Sequence, residues 1–378
     1  MNDHMQPGMA EALRLTRIGR LAEATAIIQR TLAGEPTTNA SVVESSHTDA
    51  PIEAEFRIID DPSPSMETLV ENVTRTHRTE RFSSVRTSKQ FVDKTYSNTS
   101  GTRAYKLYIP GGYTGQAVPL VVMLHGCTQT PTDFATGTRM NVLAEEGTFL
   151  VAYPQQKSSD NSSKCWNWFQ NTDQHRDKGE PSLIAGITRQ IISEYHVDVS
   201  RVYIAGLSSG GAMAVIMAAT YPDLYAAVGV HSGLAYGAAH NLPSAFAVMK
   251  QGKPQHARQL TEIIPLIAFH GDRDTTVAPA NADRLLDQWL QAVNDGPGSV
   301  HSSGRDVKVE RGQVASGHAY TRSIYYDVKG RSIVEHWMVH RAGHAWSGGS
   351  PGASYTDPKG PDASTEMVRF FNEHPRRR

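Results

Sequence analysis

Residues 202–219 of the chain read VYIAGLSSGGAMAVIMAA, and this stretch is the strongest indication of the fold. Its first four residues are largely apolar, as in a buried strand, and residues 212–219 form an apolar run of the size of a core helix. Gly206 and Gly210 stand two residues before and after Ser208, as a sharp strand-to-helix turn requires, because its strained backbone packs closely on its neighbours. This placement argues against an ordinary glycine-rich turn and predicts that Ser208 is a nucleophile in front of a helix N-terminus.

Strand-like and helix-like runs alternate on both sides of this stretch. That alternation is typical of an α/β fold, in which helices cover both faces of a mostly parallel sheet. We predict strands near residues 104–109, 120–125, 149–153, 202–205, 227–230, 265–270 and 333–339. Apolar stripes predict helices at Ile184/Ile187/Ile191, at Leu286/Trp289/Leu290/Val293 and, after an Asp362 cap, at Met367/Phe370/Phe371. Residues 234–262 interrupt the alternation and are predicted to form a substrate-cleft insertion over the sheet.

Before the alternating region, two segments differ in composition. Residues 1–33 are predicted to form a short helical hairpin, because apolar residues recur at helical spacing through Leu21, Ala24, Ile28 and Leu32. One such hairpin cannot bury its own apolar face, so it docks on the main domain or on a partner, including a second copy of the chain, or it stays an amphipathic tail. Residues 34–84 are rich in polar residues and proline and are predicted to be a poorly structured linker. The catalytic domain is then residues 85–378.

The overall composition excludes some classes of partner. The 37 basic and 38 acidic residues leave a net charge of -1, so no global charge attracts nucleic acid or an anionic membrane. No apolar run is long enough for a membrane span. The first 20 residues scatter charges where a secretion signal would be apolar, which favours a cytoplasmic location.

A serine nucleophile needs a histidine base and a carboxylate that orients it, and in this chain order the acid comes first. Asp272 and Asp274 both follow the predicted strand at residues 265–270, and we choose Asp274 because a residue farther from the strand can reach the histidine. His344 lies in a small-residue loop after the last predicted strand and is the predicted base, with His318 ranked second. The following histidines at or near strand ends are predicted to be structural: His125, His231, His270, His336 and His340.

Acyl transfer also needs backbone amides aimed at the developing oxyanion. Ser209 supplies one, and the loop HGCTQ at residues 125–129 is predicted to supply the other from Cys127. Cys127 and Cys165 are the two cysteines; they form a disulfide at the rim of the site or stay two buried thiols, and the sequence leaves both open. Trp166, Trp168 and Trp346 either line an apolar substrate cleft or cap the core. No metal site and no cofactor are predicted.

Five motifs occur in order: HGCTQ, CWNWF, GLSSGGAMA, HGDRDTTV and GHAWSGG. In these motifs the chain, from about Thr95 to its end, resembles the polyhydroxybutyrate depolymerase family of α/β-hydrolase esterases, which has feruloyl and acetylxylan esterases among its relatives. The resemblance implies the same site, with Ser208, Asp274 and His344 as the triad and Cys127 and Ser209 as oxyanion donors. Arg341 departs from the pattern, because a glycine is expected before Ala342. The family also keeps an extracellular location open.

These features predict a serine carboxylic-ester hydrolase that acts on polyhydroxyalkanoate-type polyesters or their oligomers. The alternatives are a feruloyl or acetylxylan type of esterase and a protein that binds polymer granules or a partner and uses the hydrolase core as a scaffold. A serine peptidase of the same fold would normally carry a large domain over its site, for which this length has no room.

Overall fold

The computed structural model describes residues 89–252, 258–260, 262–295, 307–327 and 329–376. The predicted hairpin at residues 1–33 and the predicted linker at residues 34–84 lie outside these ranges. Self-association through the hairpin therefore stays a prediction. No helix within the described ranges is long and apolar enough to span a bilayer.

The centre of the described part is a ten-stranded sheet with the order β1-β2-β4-β3-β5-β6-β7-β10-β9-β8. Its six inner strands, from β4 to β10, are parallel, and two antiparallel strands flank them on each side. The strands are β1 (Gln90–Asn98), β2 (Gly101–Ile109), β3 (Val118–Leu124), β4 (Leu150–Pro154), β5 (Val197–Leu207), β6 (Ala227–His231), β7 (Leu266–Gly271), β8 (Val307–Gln313), β9 (Ala319–Tyr326) and β10 (Ser332–Val339). The two-residue strands β11 (Trp346–Ser347) and β12 (Thr356–Asp357) pair separately.

Helices cover both faces of this sheet. They are α1 (Pro131–Thr138), α2 (Met140–Gly147), α3 (Gly179–Glu194), α4 (Ser209–Thr220), α5 (Leu242–Gln251), α6 (Ala280–Asp295) and α7 (Ala363–Glu373), with one 3₁₀ helix at Asn171–Gln174. Buried residues of α3 to α6 form one apolar core, and those of α1, α2 and α7 form the other. Side chains of a strand alternate between faces, so Leu120 and Val122 of β3 enter the first core while Val121 and Met123 enter the second.

The predicted α/β-hydrolase class and all seven predicted strands are confirmed, as are the three predicted helical stripes. Asp362 caps α7, because its side chain accepts a hydrogen bond from the Thr365 amide at 3.0 Å. The predicted insertion contains α5, and residues 253–257 and 261 of it lie outside the described ranges. Three of the flanking antiparallel strands, β1, β8 and β9, were not predicted.

Candidate active site

Loops from four adjacent parallel strands meet at one edge of the sheet. The register pairs Leu207 of β5 with His231 of β6, His231 with Phe269 of β7, and Gly271 of β7 with Val339 of β10. Ser208 follows β5 directly, the acid loop (residues 272–278) follows β7, and the histidine loop (residues 340–349) follows β10. The three predicted triad residues therefore lie in loops that leave the same edge.

Ser208 occupies the sharp turn that the glycine spacing predicted. Its φ of 56° is in the left-handed region, and its amide donates to the His231 carbonyl at 2.9 Å. A Cβ on Gly206 would lie 2.3 Å from the Gly210 carbonyl oxygen, and one on Gly210 would lie 2.1 Å from the Leu124 oxygen, so both positions need glycine. The turn thus presents Ser208 at the start of α4, whose first amides have no partner inside the helix.

Asp274 and His344 form a hydrogen-bonded pair. The His344 Nδ1 lies 2.6 Å from the Asp274 Oδ2, while Oδ1 accepts from the amides of Thr276 at 2.9 Å and Val277 at 2.8 Å. The His270 Nε2 lies 3.4 Å from Oδ2 and donates to the Val277 carbonyl. Burial raises the pKa of the Asp274 carboxyl. The hydrogen bonds from His270 and His344 outweigh this effect and hold the pKa well below its ordinary value. The carboxylate is therefore ionised and fixes the proton of His344 on Nδ1.

Asp272, the rejected candidate acid, binds a different part of the histidine loop. Its Oδ1 accepts from the Arg341 amide at 2.6 Å, and its Oδ2 lies 2.9 Å from the His340 Nδ1. Arg341 stands where the family pattern has glycine, and its φ of 65° is a conformation that glycine adopts most easily. Asp272 therefore anchors the start of the loop and has no contact with His344 in the structure.

Two of the histidines predicted to be structural are buried at the ends of the strands that lead to this site. His231 is buried beside Trp346, and its Nε2 accepts from the Ser347 amide at 3.0 Å. His125 donates from Nδ1 to the Gly126 carbonyl at 2.7 Å and accepts at Nε2 from the Gln156 amide at 3.1 Å. Burial lowers the pKa of His231 to about 3 and that of His125 to about 4, so both rings are neutral acceptors that hold loops in place.

His318, ranked second as the base, is paired elsewhere. Its Nε2 lies 2.9 Å from the Asp357 Oδ2. Within the described ranges, no group of three or more His, Cys, Asp or Glu side chains is placed to hold a metal ion.

The predicted oxyanion donors lie at the oxyanion loop (residues 125–130) and at the start of α4. The Thr128 amide donates to the Ser163 carbonyl at 2.7 Å, and the Gly126 amide donates to the Gln129 Oε1 at 2.9 Å. The Cys127 amide between them has no such partner among the described residues. The Cys127 Sγ lies 3.4 Å from the Ser209 Oγ, so the two predicted donor residues are in contact.

Cys127 and Cys165 form a disulfide, which is the first of the two states that the sequence left open. It joins the oxyanion loop to the Trp166 segment (residues 165–169). The Trp166 indole adds a second link, because it donates to the His125 carbonyl at 3.0 Å.

The three tryptophans predicted to bind substrate lie in the core. Trp166, Trp168 and Trp346 are 0%, 5% and 1% exposed, and the Trp346 indole donates to the Ser364 hydroxyl at 3.0 Å. Rings buried to this degree have no open face for a ligand, so their position corresponds to the alternative interpretation, capping of the core. A run of aromatic residues does not reveal from sequence which ring faces inward.

A buried polar network, which was not predicted from the sequence, binds the Trp166 segment at Asn167. The Glu180 carboxylate accepts from the Asn167 amide at 2.8 Å and from the Gln156 side chain, and lies 3.6 Å from Arg103. Burial raises the pKa of Glu180 to about 7, and nearby Asp173 raises it too, against the effect of Arg103. The segment is therefore held by the disulfide at Cys165 and by Glu180 at Asn167.

The chain is similar in sequence to known esterases. Residues 103–305 match the model of the family described as Esterase PHB depolymerase. The poly(3-hydroxyalkanoate) depolymerase C of Paucimonas lemoignei is 33% identical over 261 residues, which cover 66% of this chain and 59% of that protein. A probable acetylxylan esterase A of Neosartorya fischeri is 33% identical over 220 residues, 53% of this chain and 58% of that protein. The chain thus spans less than two thirds of the length of these relatives.

Among solved structures, an acetyl xylan esterase from Aspergillus awamori superposes with a TM-score of 0.58 at 23% identity. The match covers 76% of this chain and 99% of that one, and it establishes the fold.

Proposed function

The chain belongs to the Esterase PHB depolymerase family, and on that premise we propose that it is a serine carboxylic-ester hydrolase with Ser208 as nucleophile, His344 as base and Asp274 as acid. One observation carries the proposal above the others. The buried Asp274 carboxylate binds the Nδ1 of His344 at 2.6 Å, and its loop leaves the same end of the sheet as the strained turn of Ser208. The Nε2 of His344 has no hydrogen-bond partner among the described residues, and in the proposed reaction it accepts a proton.

In the first half of the reaction, the Ser208 Oγ bonds to the ester carbonyl carbon while its proton moves to the His344 Nε2. The carbonyl oxygen becomes negative and accepts hydrogen bonds from the amides of Cys127 and Ser209. The bond to the alcohol oxygen then breaks, and His344 returns its proton to that oxygen. The alcohol leaves, and the acyl group remains on Ser208.

In the second half, water takes the place of the alcohol. Its oxygen attacks the acyl carbon as one of its protons moves to His344, and the same two amides bind the second oxyanion. The bond to the Ser208 Oγ breaks, and the proton on His344 returns to the serine. The products are the free acid and the unmodified enzyme, so the cycle needs no cofactor.

We propose polyhydroxyalkanoate-type polyesters or their oligomers as substrates. This follows from the family and from the relative in Paucimonas lemoignei, whose name states that it is a depolymerase. Acetylated xylan is the second candidate, because several relatives carry the name acetylxylan esterase and one solved acetyl xylan esterase shares the fold.

The test is a panel of 3-hydroxybutyrate oligomers, acetylated xylan, a feruloyl ester and p-nitrophenyl acetate, ranked by kcat/KM for the full chain and for Ser208→Ala. The variant is expected to lose about five to six orders of magnitude in kcat and to keep the circular dichroism spectrum of the wild type, since the loss is chemical. A variant that hydrolyses these esters near the wild-type rate would refute the proposal. A wild-type chain without turnover would favour the binding-protein alternative.

A further inference from the structure

An exposed aromatic side chain, Tyr355, lies between the two loops that the proposed mechanism uses. Its side chain is 46% exposed, in contrast to the three buried tryptophans. It belongs to the rim segment (residues 350–357), which precedes α7 and ends in β12.

The backbone of Tyr355 is fixed to the histidine loop. Its carbonyl accepts from the Trp346 amide at 2.7 Å, and the next residue, Thr356, pairs with Trp346 in the short parallel ladder of β11 and β12. Trp346 stands two residues after His344. Any movement of Tyr355 is therefore restricted by the loop that carries the proposed base.

The preceding residue, Ser354, is fixed to the oxyanion loop. The Gln129 amide group donates to the Ser354 carbonyl at 3.0 Å, while the Gln129 Oε1 accepts from the Gly126 amide. Asp133 adds two further contacts, from the amide and the hydroxyl of Ser354. The rim segment is thus held from both sides.

The side chain of Tyr355 points to the oxyanion loop as well. Its hydroxyl lies 3.4 Å from the Thr128 Oγ1, and the Thr128 hydroxyl itself donates to the Cys127 carbonyl at 2.6 Å. Contacts therefore run from Tyr355 through Thr128 to Cys127, whose amide is a proposed oxyanion donor.

The backbone conformation of Tyr355 is unusual for an aromatic residue. Its φ of 52° lies in the left-handed region, where a bulky side chain is uncommon. Such conformations persist where the surroundings impose them, and they concentrate at binding and catalytic sites. Here the imposed conformation leaves an aromatic ring half open to solvent beside the site.

We propose that Tyr355 is a specificity-determining residue, whose ring packs against the aliphatic chain of the ester beyond the scissile bond. This inference rests on the proposed function. The ring offers apolar area at a fixed place, and successive repeat units of a hydroxyalkanoate oligomer offer matching methyl and methylene groups, which an acetyl ester of a small alcohol does not. The residue acts through binding of the chain and takes no part in proton transfer.

The experiment compares the wild type with Tyr355→Ala, Tyr355→Phe and a control, Val199→Ala. Val199 is also exposed and apolar, but it lies near the start of β5, at the end opposite to Ser208. For each protein, kcat and KM are measured with a 3-hydroxybutyrate trimer and with p-nitrophenyl acetate. The readout is the ratio of kcat/KM for the trimer to kcat/KM for the acetate, which a general loss of folded enzyme does not change.

Tyr355→Ala is expected to lower this ratio about tenfold or more, mainly through KM for the trimer, while Tyr355→Phe and Val199→Ala change it less than about threefold. A ratio in Tyr355→Ala within twofold of the wild type would overturn the inference. So would a Phe variant as impaired as the Ala variant, because the hydroxyl and not the ring would then be responsible. A wild type that hydrolyses the acetate but not the trimer would overturn the inference and leave the esterase standing, whereas a wild type inactive on every ester would overturn both.

Discussion

At the scale of single residues, the Asp274 carboxylate differs from that of Asp272 in its burial and in its hydrogen-bond partners. Asp274 is buried and binds the ring of His344, whereas Asp272 is part-exposed and binds the amide of Arg341 and the ring of His340. Both are ordinary loop aspartates two residues apart in the sequence. Their separate partners give each a distinct predicted effect on turnover.

Asp274→Asn is predicted to lower kcat by about three to four orders of magnitude with little change in KM. The amide cannot accept on both sides as the carboxylate does, so His344 loses the ion that fixes its proton on Nδ1 and stabilises its charged form. Steady-state kinetics with a soluble ester, together with a melting curve to confirm the fold, measures this loss.

Asp272→Asn is the matched control, because it makes the same chemical change in the same loop. It is expected to lower kcat by no more than about tenfold, since its partners position the start of the histidine loop and not the imidazole itself. If Asp272→Asn were the more damaging of the two variants, the assignment of the acid would have to be exchanged.

The pairing of Asp274 with His344 could be predicted because motif order reflects the order of strands, and strand ends collect at one edge. Which aromatic ring stays exposed could not. Trp166 and Trp346 are buried because their indoles bond to groups distant in sequence, His125 and Ser364. Tyr355 is exposed, and its segment is held by backbone contacts to the histidine loop and to Gln129. These outcomes depend on tertiary contacts that local composition does not encode.

At the scale of elements, the disulfide is the covalent link between the oxyanion loop and the Trp166 segment. Replacing both cysteines with serine, or reducing the bond with a dithiol, is predicted to lower the free energy of unfolding by about 2–4 kcal/mol, because the closed loop of 38 residues no longer restricts the unfolded chain. We also expect kcat to fall, because the Cys127 amide is held less firmly. Denaturant titration and ester turnover measure the two effects.

The double serine variant is the control for the reduction experiment. It has no disulfide, so any effect of the dithiol on it does not come from reduction of the bond. Equal stability and turnover before and after reduction of the wild type, with two free thiols confirmed by mass spectrometry, would contradict a positioning role for the bond. Disulfides persist in oxidising compartments, so this bond favours the extracellular alternative over the cytoplasmic location that the amino-terminal residues suggested.

The parallel strands were predictable because they are buried on both faces and read as continuous apolar runs. The edge strands β1 and β8 were not, because their alternating exposed residues resemble loop sequence; in β8, even Val307 and Val309 are exposed. A strand of this kind is recognised by its partner, which the sequence alone does not identify.

At the scale of the whole molecule, buried neutral histidines make stability depend on pH. Burial lowers the pKa of His231 to about 3 and the pKa values of His125 and His336 to about 4. In the unfolded chain each returns to about 6.5, so below that pH the unfolded state binds more protons than the folded one. The folded state is therefore destabilised as the pH falls from about 6.5 to 4. Glu180, with its raised pKa of about 7, acts in the opposite direction between about 7 and 4.5.

His336→Met tests this dependence, because the Nε2 of His336 is buried without a hydrogen-bond partner in the described part of the chain. The change removes one titrating group and leaves no polar atom unpaired. The loss of unfolding free energy between pH 6.5 and 4 is predicted to be shallower than in the wild type, by up to about 1.4 kcal/mol per pH unit. Urea titrations at pH 7, 6 and 5 measure it, and parallel curves for the two proteins would show that this histidine is not responsible.

The proposed role of Ser208 as the nucleophile is tested by covalent labelling. The full chain is treated with a fluorophosphonate, which bonds to an activated serine oxygen and releases fluoride, and the modified peptide is located by mass spectrometry. We expect one adduct, on Ser208, absent from Ser208→Ala and formed far more slowly in His344→Ala. An adduct on Ser209 or on another residue, or no adduct on a folded protein, would contradict it.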